Sequence, residues 1–451
     1  MRIECLGCNR MIKFLKNLWR DRRGNALVIA AAASPLLMAA AGFATDTIQW
    51  TLWKRELQRA ADSAAIAGVY DRVANDSTDG VNDVVAYDLT QNQHTGLDLE
   101  DGYPQVTTPA DDGDIRDQVR VVLAVRKSLP FSSMFMSVAP LIKTSATAAT
   151  IPGAGVYCVI GLDPSVGAVG LDIGGSTTVD LGECSAIANS ANPNEAAKNT
   201  GDGSTFIAKS LAAVGGVKYS KNWTVGSYDP YSTAATDPFG PKGKNLTPPA
   251  QSDCDENITV AKKDFPIDRT SVDNDVTKVV CINGDFTVQG VAKLGSAVYV
   301  INGSAGLTMN STGSSLSCPA CTIVMTNFDN PANTGSIKLT GGTVDIKAPV
   351  LNSGAPYEGI AFFQDRKATD SGQKTQNQVN GNSSGGVEGV IYIPNQSLLY
   401  NGGGNNTAIC MMIVGKRLEF TGNSKIKLAS DCGAAGIPNT GDGTRRVRLI
   451  A

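Results

Sequence analysis

The polarity pattern along the chain changes character twice. Residues 24–45 are 22 consecutive uncharged positions, Gly24 to Thr45, and a helix of about 20 residues crosses a hydrocarbon core of ~30 Å. The helical pattern does not stop at Asp46: from Trp50 through Leu57 and Ile66 no breaker occurs before Gly68, so one helix is expected to run to about Ala74. On it Ala60, Ala61, Ala64, Ala65 and Gly68 form a small-residue stripe at i, i+4 spacing, suited to close packing on a helix or a sheet. A second helix is expected over Val81–Gln91, then two alternating strands over residues 118–126 and 141–150.

From Val279 the pattern becomes short apolar runs separated by Gly, Asn and Ser turns: Val279-Val-Cys-Ile, Ala297-Val-Tyr-Val-Ile, Cys321-Thr-Ile-Val-Met, Gly359-Ile-Ala-Phe-Phe, Gly389-Val-Ile-Tyr-Ile and Ile409-Cys-Met-Met-Ile-Val. A weaker strand follows most runs, as in Gly306-Leu-Thr-Met, Ser336-Ile-Lys-Leu, Leu398-Leu-Tyr and Arg417-Leu-Glu-Phe. Runs recurring at uneven spacing suit the coils of a solenoid with insertions. The expected fold class is mainly β with an N-terminal α+β part: one transmembrane helix, a small antiparallel sheet, then a right-handed parallel β-helix, with a β-sandwich as the alternative. Residues 190–256, rich in Pro turns, and residues 366–386, rich in Gln, Asn, Ser and Gly, read as surface loops.

Charge fixes an orientation. Residues 1–23 carry Arg2, Arg10, Lys13, Lys16, Arg20, Arg22 and Arg23 against Glu4 and Asp21, a balance of +5, and the whole chain is −3, leaving −8 for the remainder. Positive charge before a span keeps that end in the cytoplasm and exports the residues beyond the span. A mildly acidic body without a basic patch gives no basis for nucleic-acid binding. A cleaved secretory peptide, with an apolar core of about 7–15 residues, is the competing reading of the Ala-rich run 30–44; the unbroken helix favours an uncleaved anchor. Met11 reads as an alternative start, which would remove Cys5 and Cys8, otherwise two free cytoplasmic thiols.

Three features together, Arg22-Arg-Gly-Asn-Ala before the span, Asp46 just after it, and Leu57-Gln-Arg-Ala-Ala-Asp-Ser-Ala-Ala-Ile-Ala, resemble the N-terminal domain of TadG-like proteins of the Tad (Flp, tight adherence) pilus assembly system. The resemblance covers roughly residues 15–150. It implies a pilin-like helix, a structural role at the cell inner membrane, and other Tad pilus assembly proteins or pseudopilins as partners. Related pilin leaders are cut after a Gly that Glu follows five residues on; here Gly24 is followed by Ile29. Cys158-Val-Ile-Gly-Leu-Asp-Pro-Ser and Cys184 resemble the exported region of TadG-like proteins, which implies a Cys158–Cys184 pair. The expected plan is a basic tail (1–23), the transmembrane and pilin-like helix (24–75), a small α+β domain (76–150), a periplasmic β-helix (151–435) and a C-terminal tail (436–451).

Candidate chemistry is sparse. Eight cysteines lie beyond the span, an even number expected to form disulfides in an oxidising compartment. Order along the chain suggests Cys254–Cys281, Cys318–Cys321 and Cys410–Cys432 besides the first pair. Cys318-Pro-Ala-Cys321 lies between strand-like segments, not at a helix N-terminus where a redox thiolate is stabilised. The single histidine, His94, excludes a His-triad metal site and most Ser-His or Cys-His mechanisms. Asp111-Asp-Gly-Asp114 and the two Asn-Thr-Gly-Asp-Gly stretches at 199–203 and 439–443 lack calcium-loop spacing and read as turns. Asp163-Pro-Ser is a turn. Asp345-Ile-Lys347 is the nearest approach to a polysaccharide-cleaving cluster, without the second carboxylate glycoside hydrolysis requires. No catalytic residue, cofactor, metal or small-molecule ligand is expected; a β-helix enzyme acting on polysaccharide and a surface adhesin are the rival readings.

Overall fold

The computed structural model describes residues 24–91, 97–152, 156–201, 203–381, 386–402, 410–422, 425–427, 437 and 445–450. They fall into two compact units, Met1–Thr150 with Val447–Ala451, and Ile151–Arg446.

In the first unit, α1 (Gly24–Asn75) is continuous over 52 residues, about 78 Å at 1.5 Å per residue. It passes through Pro35 and Gly68 without ending. Helix α2 (Val81–Gln91) and the strands β1 (Gln105–Thr107), β2 (Arg116–Arg126) and β3 (Leu141–Pro152) follow, these strands pairing antiparallel, and Arg445–Leu449 from the end of the chain lies beside β3 as the fourth strand of the sheet. Alternation explains the packing: Val119, Val121, Leu123 and Val125 of β2, paired with Ala148, Ala146, Thr144 and Ile142 of β3, present one apolar face to α1. Burial of that face holds the long helix where propensity alone would not.

The second unit is a large parallel sheet in which most strands pair with the third strand along the chain. The central ladder runs through Asn274–Asn283, Ser296–Asn302, Thr322–Thr326, Ile360–Gln364, the first half of Val387–Gly402 and the first half of Met411–Thr421. It then continues with the beginning of the unit: Met411–Thr421 pairs with Tyr157–Gly161 and Leu171–Gly174, and Tyr157–Gly161 pairs with Ser185–Ala188. The last strand of the repeat is thus inserted between the first strand and its own predecessor.

Register places like side chains above one another. Tyr299, Ile323, Phe362, Ile391, Ile413 and Val159 form an inward column, and Val300, Val324, Phe363, Tyr392, Val414 and Ile160 an outward one. Both columns are buried, so the ladder reads in sequence as unbroken apolar runs instead of an alternation.

Residues 190–256, expected as a surface loop, carry the strands Ala197–Thr200, Thr205–Ala213, Val217–Lys218 and Thr224–Asp229, and their remainder, residues 230–256, covers the outward column. Phe239 is fully buried against Tyr392, with ring centroids 5.2 Å apart, and Asp237 accepts a hydrogen bond from the Tyr392 hydroxyl at 2.8 Å. The Tyr357 hydroxyl donates to the Thr247 carbonyl at 2.6 Å, and Arg366 donates to the carbonyls of Phe239 and Leu246. Proline suits this path because a strap lying across strands has no ladder in which its N–H is needed. Residues 366–386 also contain an inserted strand, Asn377–Gly381, with Asn377 and Val379 buried.

Replacing Phe239 by Ala should empty a fully enclosed ring site and destabilise the second unit by about 3–5 kcal/mol. Denaturant unfolding followed by tyrosine fluorescence would measure it; a loss below about 1 kcal/mol, the range of exposed positions, would show that the strap does not cover the ladder.

Candidate functional site

The described residue linking the apolar half of α1 to the folded half is Asp46, the first charge after the uncharged stretch. It is only 4% exposed, and its carboxylate accepts hydrogen bonds from the N–H of Phe131 (2.9 Å), the N–H of Ser132 (2.6 Å) and the Ser132 hydroxyl (2.5 Å). These donors open the short 3-10 turn Ser132–Met134 in the β2–β3 connection. A carboxylate serves better than any neutral group there, since charge-assisted hydrogen bonds are roughly twice as strong. One turn earlier, Gly42 leaves no room for a Cβ beside the Phe131 ring, and Phe43 packs edge-on to Phe131 at 5.1 Å.

The small-residue stripe lies inside the same unit. Ala60, Ala61, Ala64, Ala65 and Gly68 are buried against the sheet and α2, and a Cβ on Gly68 would come within 2.9 Å of Val119. The stripe therefore serves the chain's own sheet, and Gln58 adds a hydrogen bond to the Ser145 carbonyl at 3.2 Å.

Three of the cysteine pairs read from sequence order lie at disulfide distance: Cα separations are 5.7 Å for Cys158 and Cys184, 5.7 Å for Cys254 and Cys281, and 6.0 Å for Cys318 and Cys321. Cys432, the expected partner of Cys410, lies outside the described residues, as do Cys5, Cys8, His94 and residues 439–443.

Charged side chains gather at two places in the second unit. Where Met411–Thr421 meets the first strands, Arg417 donates to Asp163 (3.2 Å) and to Asp370 (2.7 and 2.9 Å), and Lys416 pairs with Asp370 at 2.9 Å. Burial opposes the charge of Asp370, but Lys416, the Gly372 N–H and Arg417 outweigh it and hold the carboxyl below its ordinary value. Asp163-Pro-Ser is a turn, as its Asp163–Ser165 hydrogen bond requires, and it also fastens residues 254 positions apart. Beside it a cleft of about 240 Å³ is lined by Asp172, Lys374, Leu398 and Glu419. Lys374 reaches both carboxylates, Asp172 at 3.3 Å and Glu419 at 2.9 Å.

The second cluster is centred on Asp273, fully buried, which accepts from Arg269 (2.5 Å), Lys278 (2.7 Å) and the Tyr299 hydroxyl (2.8 Å). Burial alone would raise its pKa, yet the hydrogen bonds from Arg269, Lys278 and Tyr299 hold it below the ordinary value. Sequence reasoning missed both clusters: Arg417 meets Asp163 across 254 positions, while Arg269, Asp273 and Lys278 lie close in sequence but are ordinary charged residues with no motif. Asp345 is exposed, and Lys347 pairs with Glu388 at 3.6 Å. Among the described residues no group of three His, Cys, Asp or Glu is placed to hold a metal ion.

Against known proteins, residues 24–74 match the family model described as "Putative Flp pilus-assembly TadE/G-like". The matched stretch coincides with α1, whose apolar part has a mean hydropathy of 1.8 over 18 residues and none of that window buried. It carries the TadE/G-like resemblance and fits a membrane-anchored Tad pilus component. Neither the search of curated proteins nor that of solved structures found a match.

Asp46→Ala would leave the N–H groups of Phe131 and Ser132 without their acceptor and loosen the docking of the 127–140 connection. Trypsin cleavage after Lys127 should then accelerate by roughly thirtyfold; unchanged cleavage would contradict the role given to Asp46.

Proposed function

We propose that this chain is a structural or interaction component of Tad (Flp) pilus assembly, anchored in the inner membrane by α1 with its N-terminus cytoplasmic and its bulk periplasmic. The observation that carries this reading is that the TadE/G-like match falls on a helix of membrane-spanning length that continues without a break into a folded unit. Its partners on this reading are other Tad pilus assembly proteins or pseudopilins, with residues 1–23 as the cytoplasmic tail.

The three-strand repeat of the exported unit is read as a right-handed parallel β-helix. Supporting it are the pairing of most strands with the third one along and the stacked columns of like side chains. Disulfides at Cys158–Cys184, Cys254–Cys281, Cys318–Cys321 and Cys410–Cys432 would brace it, those that close loops of ~20–30 residues contributing roughly 3 kcal/mol each by loop entropy. The domain plan 1–23, 24–75, 76–150, 151–435 and 436–451 belongs to the same proposal.

Contact, not catalysis, is the proposed mode of action. Asp345 stands exposed, and the two carboxylates of the cleft share one lysine instead of flanking an open gap. A glycoside hydrolase of the usual kind needs two carboxyl groups free to act as acid and base.

In a strain whose Tad pili can be counted, deleting the gene should abolish surface pili. The wild-type chain and a chain carrying Asp345→Asn with Asp172→Asn should restore them equally. Normal piliation after deletion would overturn the assignment, and cleavage of polysaccharide by the wild-type chain but not the double variant would favour the enzyme.

A further inference from the structure

The β2–β3 connection exposes a run of large apolar side chains that no described residue of the first unit covers. Met134, Phe135, Met136 and Val138 are 75, 74, 51 and 61% exposed, and Leu141 stands beyond them at 44%. Single exposed apolar residues are ordinary, but four within five positions are not. The run is also held firmly by the Asp46 hydrogen bonds to Phe131 and Ser132.

Its level along α1 identifies what meets it. Phe131 touches α1 at Gly42 and Phe43, inside the uncharged stretch, and Phe135 packs on Phe131 with centroids 5.3 Å apart. Phe43, Leu36, Leu37 and Met38 on the same helix are exposed as well, at 59–73%. The connection thus continues the apolar surface of the span instead of forming a separate patch. Just beyond it on α1 stand Trp50 and Trp53, with Lys54 over the Trp50 ring at 5.2 Å and Lys127 over the Trp53 ring at 4.6 Å. An apolar layer, then tryptophans, then ammonium groups is the order of side chains across a membrane interface.

We propose that residues Phe131–Val138 dip into the outer face of the same bilayer that α1 crosses, giving the first unit a second attachment to lipid. The proposal rests on α1 being the membrane anchor. Asp46 is the clamp: it ties the dipping turn to the helix at the point where the helix leaves the hydrocarbon. Two attachments fix the tilt and rotation of the first unit on the membrane, which one helix passing through lipid does not.

The test uses the full chain, with Cys5→Ser and Cys8→Ser, in vesicles of phosphatidylethanolamine and phosphatidylglycerol. An environment-sensitive fluorophore is placed at Met136→Cys, at Leu36→Cys within the span, or at Val291→Cys on the second unit. Nitroxide-bearing lipids then report contact with acyl chains. The Met136 probe should be blue-shifted and quenched more by a nitroxide near the headgroup than by one near the chain end, as for a segment buried about 5–10 Å. The Leu36 probe should be quenched most by the deep nitroxide, and the Val291 probe by neither. A quenched Leu36 probe with an unquenched, water-like Met136 probe would overturn the dip while leaving the anchor intact. A Met136 probe that is blue-shifted but untouched by nitroxide would assign the run to a protein partner or a second copy, and overturn it equally. Loss of quenching at Leu36 would instead remove the anchor itself.

Discussion

A parallel ladder with apolar side chains on both faces has to be covered twice, and in the second unit every other feature depends on that requirement. One face is covered by the stacked repeat itself, where Tyr299, Ile323, Phe362 and Ile391 fill the interior. The other needs a separate layer, and residues 230–256 supply it with Phe239 and the Asp237–Tyr392 hydrogen bond. At roughly 25 cal/mol per Å² of apolar surface removed from water, an outward column that includes Phe363 and Tyr392 is strongly disfavoured if left open to water.

The order of strands adds a second constraint. Met411–Thr421 pairs on one side with Val387–Gly402 and on the other with Tyr157–Gly161, so the first strand of the repeat, paired with Ser185–Ala188 on its other side, has its second partner only once the last has been made. Closing a loop of that length before any contact rewards it slows folding. The Arg417 contacts to Asp163 and Asp370 sit at this closure and give the joining edge a specific register. On the proposed topology, the unit cannot close until its final strand has crossed the membrane.

How much of this could be read from the residues depends on the range of the interactions. The helices were legible because their periodicity is local, and Val81–Gln91 is found where the pattern placed it. The strands of the small sheet extend a little beyond their expected bounds, as Arg116–Arg126 and Leu141–Pro152. The apolar runs from Val279 onward are strands, and so are the weaker segments after them. The strap was not legible, because Pro-rich composition describes the backbone and says nothing of what the side chains rest on. Its signal lay in the strands: runs such as Val298-Tyr-Val-Ile, apolar at successive positions, require cover on both faces. The partners of Asp46 and Asp163 depend on tertiary contacts that no local spacing records, whereas Asp273 meets Arg269 and Lys278 within five residues.

In the first unit the governing interaction is the Asp46 carboxylate, which joins a helix segment too apolar for water to a domain that needs water. Its position has meaning only if the helix crosses in one direction, basic residues inside and everything after Asp46 outside. Alkaline phosphatase, which is active only after export, fused after Asn75 of the anchor measures that direction. High activity is expected, with none when Arg20, Arg22 and Arg23 are replaced by Glu and an equal basic cluster is placed after Asn75. An inactive fusion, alongside an active cytoplasmic reporter at the same site, would contradict this topology and the anchoring role with it.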